Sequence, residues 1–196
     1  MREGQLTVSE CFQVLLTFQN NKAPGNDGLS AEFYKLFLAR NRLLASRIIN
    51  YFYAHGELST PQNEAIITLI EKKDREKRLI KNWRAIYLVN VDIKIGSKAI
   101  SRRLEKVLPN LVHHDQNALV KGRTIFDAVR TISDIMDYTE MKGYEGIMSA
   151  IDFEMAVDSL SWDFLFKSLE LFGFCVSFIF TGIQRWFPPK YIKSTF

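Results

Sequence analysis

"GIMSAIDFEMAVDSLSW", Gly146–Trp162, is the stretch on which the reading of this chain turns. An apolar run from Gly146 to Ile151 stops on Asp152, and a second carboxylate, Asp158, precedes Trp162. A short apolar run of this length reads as a buried strand, here presenting a carboxylate at its carboxyl end. The pattern predicts a strand over 146–153. Ser161 then reads as the N-cap of a helix running to Phe172, with Gly173 as its stop.

Working outward, the same alternation of short strands and longer helices recurs. Thr7 and Glu10 have the spacing of a capping box, and Val8, Cys11, Phe12, Leu15 and Leu16 follow at helical period. Pro24-Gly25-Asn26-Asp27-Gly28 is turn chemistry, and Ser30 caps a helix bearing Phe33, Tyr34 and Phe37. A further helix is expected over 43–53. "AIITLI", Ala65–Ile70, is rich in β-branched residues and reads as a strand, with "AIYLVN", Ala85–Asn90, as its partner. Two long helices follow, one stopped by Pro109 and one carrying Ile125, Val129, Ile132 and Met136 on a single face. The last residues, 190–196, read as a strand with no visible partner. The fold class expected is mixed α/β, an α+β arrangement rich in helix.

Composition bounds the alternatives. The chain has 196 residues, 47% of them hydrophobic and 13% aromatic, enough for an ordinary core. No apolar run approaches the roughly 20 residues that cross a bilayer, so no membrane partner is expected. Cys11 and Cys175 form no CxxC pair and read as reduced thiols of an intracellular protein of the nucleus or cytoplasm. The net charge is +4. Lys72, Lys73, Arg75, Lys77, Arg78, Lys81 and Arg84 gather in one segment beside Trp83, a composition suited to phosphate contact and base stacking. A solvated loop is the other reading of such a run.

Four blocks, in order, resemble the reverse transcriptase of non-LTR (LINE-type) retrotransposons. "NNKAPGNDGLSAEFYKLF" is similar to the family's Lys-Ser-Pro-Gly-x-Asp-Gly segment. "ITLIEKKDREKRLIKNWRAIYLVNVDIKIGSKAISRRL" resembles its fingers, and "HHDQNALVKGRTIFDAVRTISDIMDY" the helix that follows them. "SAIDFEMAVDSLSWDFLFKSLELFGF" resembles the first palm motif and its helix. The resemblance covers about Leu6 to Trp186. It implies the fingers and partial palm of a right-hand polymerase as one domain, 1–196. About 6–145 would be fingers and N-terminal palm helices, and about 146–196 the first palm strand and following helices. The sequence would stop before the family's Asp-Asp hairpin, leaving out the rest of the palm and the thumb.

The resemblance also implies a chemistry. In template-directed DNA synthesis a primer 3′-hydroxyl attacks the α-phosphate of a deoxynucleotide triphosphate, and two Mg²⁺ ions stabilise the attacking and leaving oxygens. Asp152 would ligate both metals, assisted by the carbonyl of Phe153. Lys72 and Arg84 would neutralise the triphosphate, and Val157 would lie beneath the nucleotide sugar, where the family carries phenylalanine. Lys73, Gln116, Lys121 and Arg123 would contact an RNA template or DNA primer. Asp158 fits a capping or supporting role, and His113 and His114 fit a loop.

Departures from the family pattern bear on activity. The chain has no Asp-Asp pair. Ala85, Tyr87, Ala118, Leu119, Met155 and Val157 replace the usual residues of their blocks, as in a divergent or decaying copy. An alanine in a glycine's place is costly where φ is positive. The leading expectation is therefore part of an RNA-directed DNA polymerase, inactive alone. The alternatives are a non-catalytic nucleic-acid-binding module derived from a retrotransposon and a metal-dependent nuclease built on Asp152 and Asp158.

Overall fold

The computed structural model describes the chain except residues 1–3, 42–49, 52–54, 56–57, 74–75, 154–158, 185–190 and 195–196. The chain divides into two compact units. Met1–Ser101 and Cys175–Phe196 make the first, and Arg102–Phe174 the second.

The first unit opens with α1, Val8–Leu16. Thr7 caps it as the sequence predicts: its hydroxyl accepts from Glu10 N, and the Glu10 carboxylate accepts from Thr7 N at 2.8 Å. Cys11, Val14 and Leu15 form its buried stripe. The helix α2, Ala31–Arg40, buries Ala31 and Leu38 and packs against α1. The helix expected over 43–53 lies largely outside the described residues.

Strands β1, Glu64–Glu71, and β2, Trp83–Leu88, form the expected antiparallel hairpin, with Ile66 opposite Leu88 and Ile70 opposite Arg84. The final strand is not partnerless: β3, Tyr191–Ser194, pairs in parallel with β1, giving the order β2-β1-β3. That contact joins segments more than a hundred residues apart, which no local pattern encodes. Helix α3, Val91–Glu105, supplies Val91, Ile93, Ile95, Ala99 and Ile100 to the apolar core. Phe178 and Ile179, in a π-helical segment Phe178–Gln184, are fully buried.

The Pro-Gly-Asn-Asp-Gly loop is fixed to this unit by side chains. Asn26 Nδ2 donates to the Glu64 carboxylate at 2.6 Å, and Asp27 N donates to Asn90 Oδ1 at 3.4 Å. Gly28 takes φ +70°, as a turn glycine can. Asn90 is itself buried.

In the second unit, α3 ends before Pro109, which starts a short turn of helix, Leu108–Leu111. A loop leads to α4, Ile125–Lys142, capped by a reciprocal Thr124–Asp127 box and closed by Gly143 at φ 65°. The helix α5, Trp162–Leu171, is capped by Ser161 Oγ, which accepts from Phe164 N, and Gly173 follows it at φ 82°. The strand expected over 146–153 is absent: residues 144–153 carry no strand pairing, and Ile147 is 97% exposed. A strand is defined by its ladder partner, and among the described residues none pairs with this run. Apolar side chains of α4, including Ile125, Phe126 and Met141, are likewise exposed.

Candidate nucleotide and metal site

The β1–β2 hairpin positions the basic residues of the first unit. Lys72 N donates to Asn82 O at 2.9 Å, extending the β1–β2 pairing by one bond past Glu71. Alternation then puts Lys72 on the same face as Ile70, whose cross-strand neighbour is Arg84. The two cations expected at a triphosphate thus share one side of the hairpin. Lys72 Nζ donates to Lys81 O at 2.8 Å, an anchor within the turn. Arg84 and Lys73 are exposed. Lys77 pairs with Glu71 at 3.0 Å, and the Trp83 indole N–H donates to Lys77 O at 2.8 Å, so these residues brace the turn.

The second unit holds the other expected residues. Asp152 and Phe153 lie in the irregular segment that follows α4, both exposed. Val157 and Asp158 lie outside the described residues. Gln116 is exposed and donates to Ala118 O at 3.2 Å, and Lys121 is exposed.

Arg123 has a different setting from the one the resemblance implies. One terminal nitrogen donates to the carbonyls of Gln116, at 2.8 Å, and His113. The other donates to Pro109 O at 3.0 Å and Val112 O at 2.9 Å. The guanidinium is occupied by main-chain carbonyls and organises the loop ahead of α4. Its fork of donors makes it able to collect acceptors from two turns at once.

The same loop answers the question raised by Ala118. Its backbone is not in the left-handed region; Leu119, at φ 61°, and Gly122, at φ 83°, are. The alanine therefore carries no penalty, and any strain falls on leucine.

His113, His114 and Asp115 come together more closely than adjacency alone suggests. Asp115 receives His113 Nδ1 at 3.2 Å and His114 Nε2 at 3.0 Å, and donor atoms of all three lie within 4.8 Å of one another. All three are exposed, and imidazole–carboxylate pairing accounts for the grouping. Asp152 belongs to no such cluster among the described residues. One carboxylate and one neighbouring carbonyl do not close a site for two Mg²⁺ ions, each of which prefers near-octahedral oxygen ligation.

Sequence reasoning missed a buried polar group in the first unit. Asp92, at the start of α3, accepts from the side-chain amide of Gln62 and from Ile93 N at 2.7 Å. Burial pushes its carboxyl above the usual range. Burial also raises the nearby Tyr34 hydroxyl, helped by the fields of Asp92 and Asp27.

The family described as "Reverse transcriptase (RNA-dependent DNA polymerase)" matches residues 70–194. Over 177 residues, 90% of the chain, the sequence is 36% identical to the "Transposon TX1 uncharacterized 149 kDa protein" of Xenopus laevis. The chain spans only 14% of that protein's length. Among the described residues no helix is long and apolar enough to cross a membrane. The matched span runs from the end of β1 through the basic turn, Asp152 and β3, and the chain belongs to the reverse transcriptase family, as a domain of the non-LTR retrotransposon type.

Proposed function

We propose that this chain supplies the fingers and the first palm segment of an RNA-directed DNA polymerase. The observation that carries the reading is the family match across 70–194, which encloses both the Lys72–Arg84 face and Asp152. In this reading Lys72 and Arg84 take the triphosphate of the incoming deoxynucleotide. Lys73, Gln116 and Lys121 approach the RNA template or DNA primer, while Arg123 holds the loop that presents Gln116 and Lys121. Asp152 and the Phe153 carbonyl are the contribution to a Mg²⁺ site, where divalent ions would supply charge stabilisation at the transferring phosphate. Val157 would take the place beneath the sugar of the nucleotide that the family's phenylalanine takes.

The chain alone does not polymerise. A two-ion site needs further carboxylates, and the sequence has no Asp-Asp pair to provide them. Purified chain with a labelled DNA primer, an RNA template, deoxynucleotides and Mg²⁺ should therefore give no extension. Extension that Asp152→Asn abolishes would overturn this. The role of Asp152 is read separately with Mn²⁺: amide signals of residues 151–153 should broaden, and Asp152→Asn should remove the broadening. Unchanged broadening in the variant would take the metal away from Asp152.

The exposed basic hairpin also supports a second reading, a module that binds nucleic acid without chemistry. Binding to an RNA–DNA hybrid that is unaffected by chelating divalent ions, together with no Mn²⁺ effect at Asp152, would favour it.

A further inference from the structure

The loop between the helical turn Leu108–Leu111 and α4 carries a group that the polymerase reading does not use. His113, His114 and Asp115 present two imidazoles and a carboxylate within 4.8 Å of one another, all exposed. Consecutive side chains of an extended chain point to opposite faces. Here the backbone turns instead. Gln116 N donates to His113 O at 3.1 Å, closing a turn with His114 and Asp115 at its centre. The two rings come to one side, their centres 4.1 Å apart.

The turn is held from within. Arg123 donates to His113 O and, at 2.8 Å, to Gln116 O, so one guanidinium ties both ends of the turn. Asn117 Nδ2 donates to Asp115 O at 3.3 Å. The main chain beneath the triplet is thus set by other residues, while the three side chains stay open to solvent.

The distances suit a metal ion. Zinc bonds of about 2.1 Å to an imidazole nitrogen and a carboxylate oxygen, at an angle of about 90–109°, place those two atoms about 3.0–3.4 Å apart. His113 Nδ1 stands 3.2 Å from Asp115 Oδ2, and His114 Nε2 stands 3.0 Å from Oδ1. Asp115 N also points at His113 Nδ1, at 3.4 Å, as a donor meets a lone pair. That lone pair faces the carboxylate oxygen with no proton between them, and a cation there turns the repulsion into two bonds. Imidazole nitrogens favour zinc-like ions of the first transition row over Mg²⁺, which takes oxygen ligands.

We propose that His113 Nδ1, His114 Nε2 and the Asp115 carboxylate bind a divalent transition-metal ion of the zinc class, with water completing its coordination. The ion pins the solvent side of the loop whose inner side Arg123 holds. The site shares no residue with the Lys72–Arg84 face or with Asp152.

The test titrates the full chain, free of any histidine tag, with Zn²⁺ against a chromophoric chelator. One zinc ion per chain should bind, and excess Mg²⁺ should not displace it. His113→Gln, His114→Gln and Asp115→Asn should each weaken binding at least about tenfold, since even an outer-shell partner of a metal matters on that scale. The chain has three histidines, so His55 in the first unit serves as the control. His55→Gln and Cys175→Ser should leave the affinity in place, and Zn²⁺ should shift the ring signals of His113 and His114 but not those of His55. Saturating Zn²⁺ should raise the melting temperature of the wild type and not that of His113→Gln/His114→Gln. All three positions are exposed, and a urea midpoint matching the wild type's without metal shows that each variant is folded. Asp152→Asn should bind zinc as the wild type does, which separates this site from the proposed polymerase site. The absence of stoichiometric zinc binding would overturn the proposal. So would unaltered affinity in the folded His113 and His114 variants, or loss of binding in His55→Gln or Cys175→Ser.

Discussion

Gly25 and Asn90 touch so closely that no side chain fits between them. A Cβ on Gly25 would stand 2.5 Å from the Asn90 amide nitrogen and 2.6 Å from its Cα, with Oδ1 closer still. The neighbours are mainly backbone, which cannot swing aside. Asn90 is buried and takes Asp27 N as a donor, so the contact fixes the loop against the start of α3. Gly25→Ala should destabilise the protein by about 1–3 kcal/mol, the range for overpacking a close-packed site. Urea unfolding measures this. Gly28→Ala tests a different cause at the same loop, because its Cβ would meet nothing and only φ +70° opposes it. An alanine at 25 that leaves the unfolding midpoint in place would mean the loop does not seat on Asn90.

Arg123 separates two roles that the sequence cannot distinguish. A phosphate contact predicts lost affinity for nucleic acid with unchanged stability. Four main-chain acceptors predict the reverse order of effects. Arg123→Gln should lower stability by about 1.5–3 kcal/mol, the scale for hydrogen bonds made by a charged group. It should do so in the absence of any ligand. Lysine should rescue poorly, because a single ammonium cannot span the carbonyls of Pro109, Val112 and Gln116. Full stability in Arg123→Gln would return this residue to the phosphate-contact role.

Leu119 sits at φ 61° and is wholly exposed, so it gains nothing from burial to offset a left-handed backbone. Leu119→Gly should stabilise by about 1 kcal/mol, relieving a conformation that L-residues adopt at a cost of that order. Leu119→Asn should give part of the gain. Ala118→Gly should give none, because Ala118 is outside the left-handed region. Thermal melts of the three variants check the ranking.

The parts of the fold that the sequence disclosed are those specified over a few residues. Thr7 and Ser161 cap helices where their spacing says they should, and Gly173 follows a helix at positive φ; Ser30, expected to cap α2, makes no side-chain cap bond. The β1–β2 hairpin follows from two β-branched runs flanking a polar turn. Pairings made across the chain were hidden. Nothing near Tyr191 says that it lies beside Glu64. The run before Asp152 has strand composition but no partner strand among the described residues, so composition alone misled. The same limit applies to the site. That Lys72 and Arg84 share a hairpin face follows from the β1–β2 register, a local pairing. The carbonyl partners of Arg123 were hidden because a guanidinium that binds carbonyls and one that binds phosphates look alike in a sequence.

Asp92 gives the stability a pH dependence opposite in sign to that of the exposed capping carboxylate Asp127. Burial raises the folded-state pKa of Asp92 above its unfolded value, so the folded state holds the proton more tightly. Its contribution is most favourable below the unfolded pKa. Stability falls as pH rises from there through the folded pKa, then stays level. Asp127 behaves conversely. Thr124 N donates to it at 2.9 Å and depresses its pKa, so its contribution is present above the unfolded value and lost as pH falls through the folded one. Asp92→Asn keeps an acceptor for Gln62 while removing the buried charge. It should therefore stabilise the protein at neutral pH, with the gain shrinking towards acid as the wild-type carboxyl protonates. Asp127→Asn should do the reverse, lowering stability at neutral pH and leaving it unchanged in acid. Urea midpoints of the two variants between pH 3 and 8 read both slopes. A gain for Asp92→Asn that did not depend on pH would show that the asparagine improves packing rather than relieving charge.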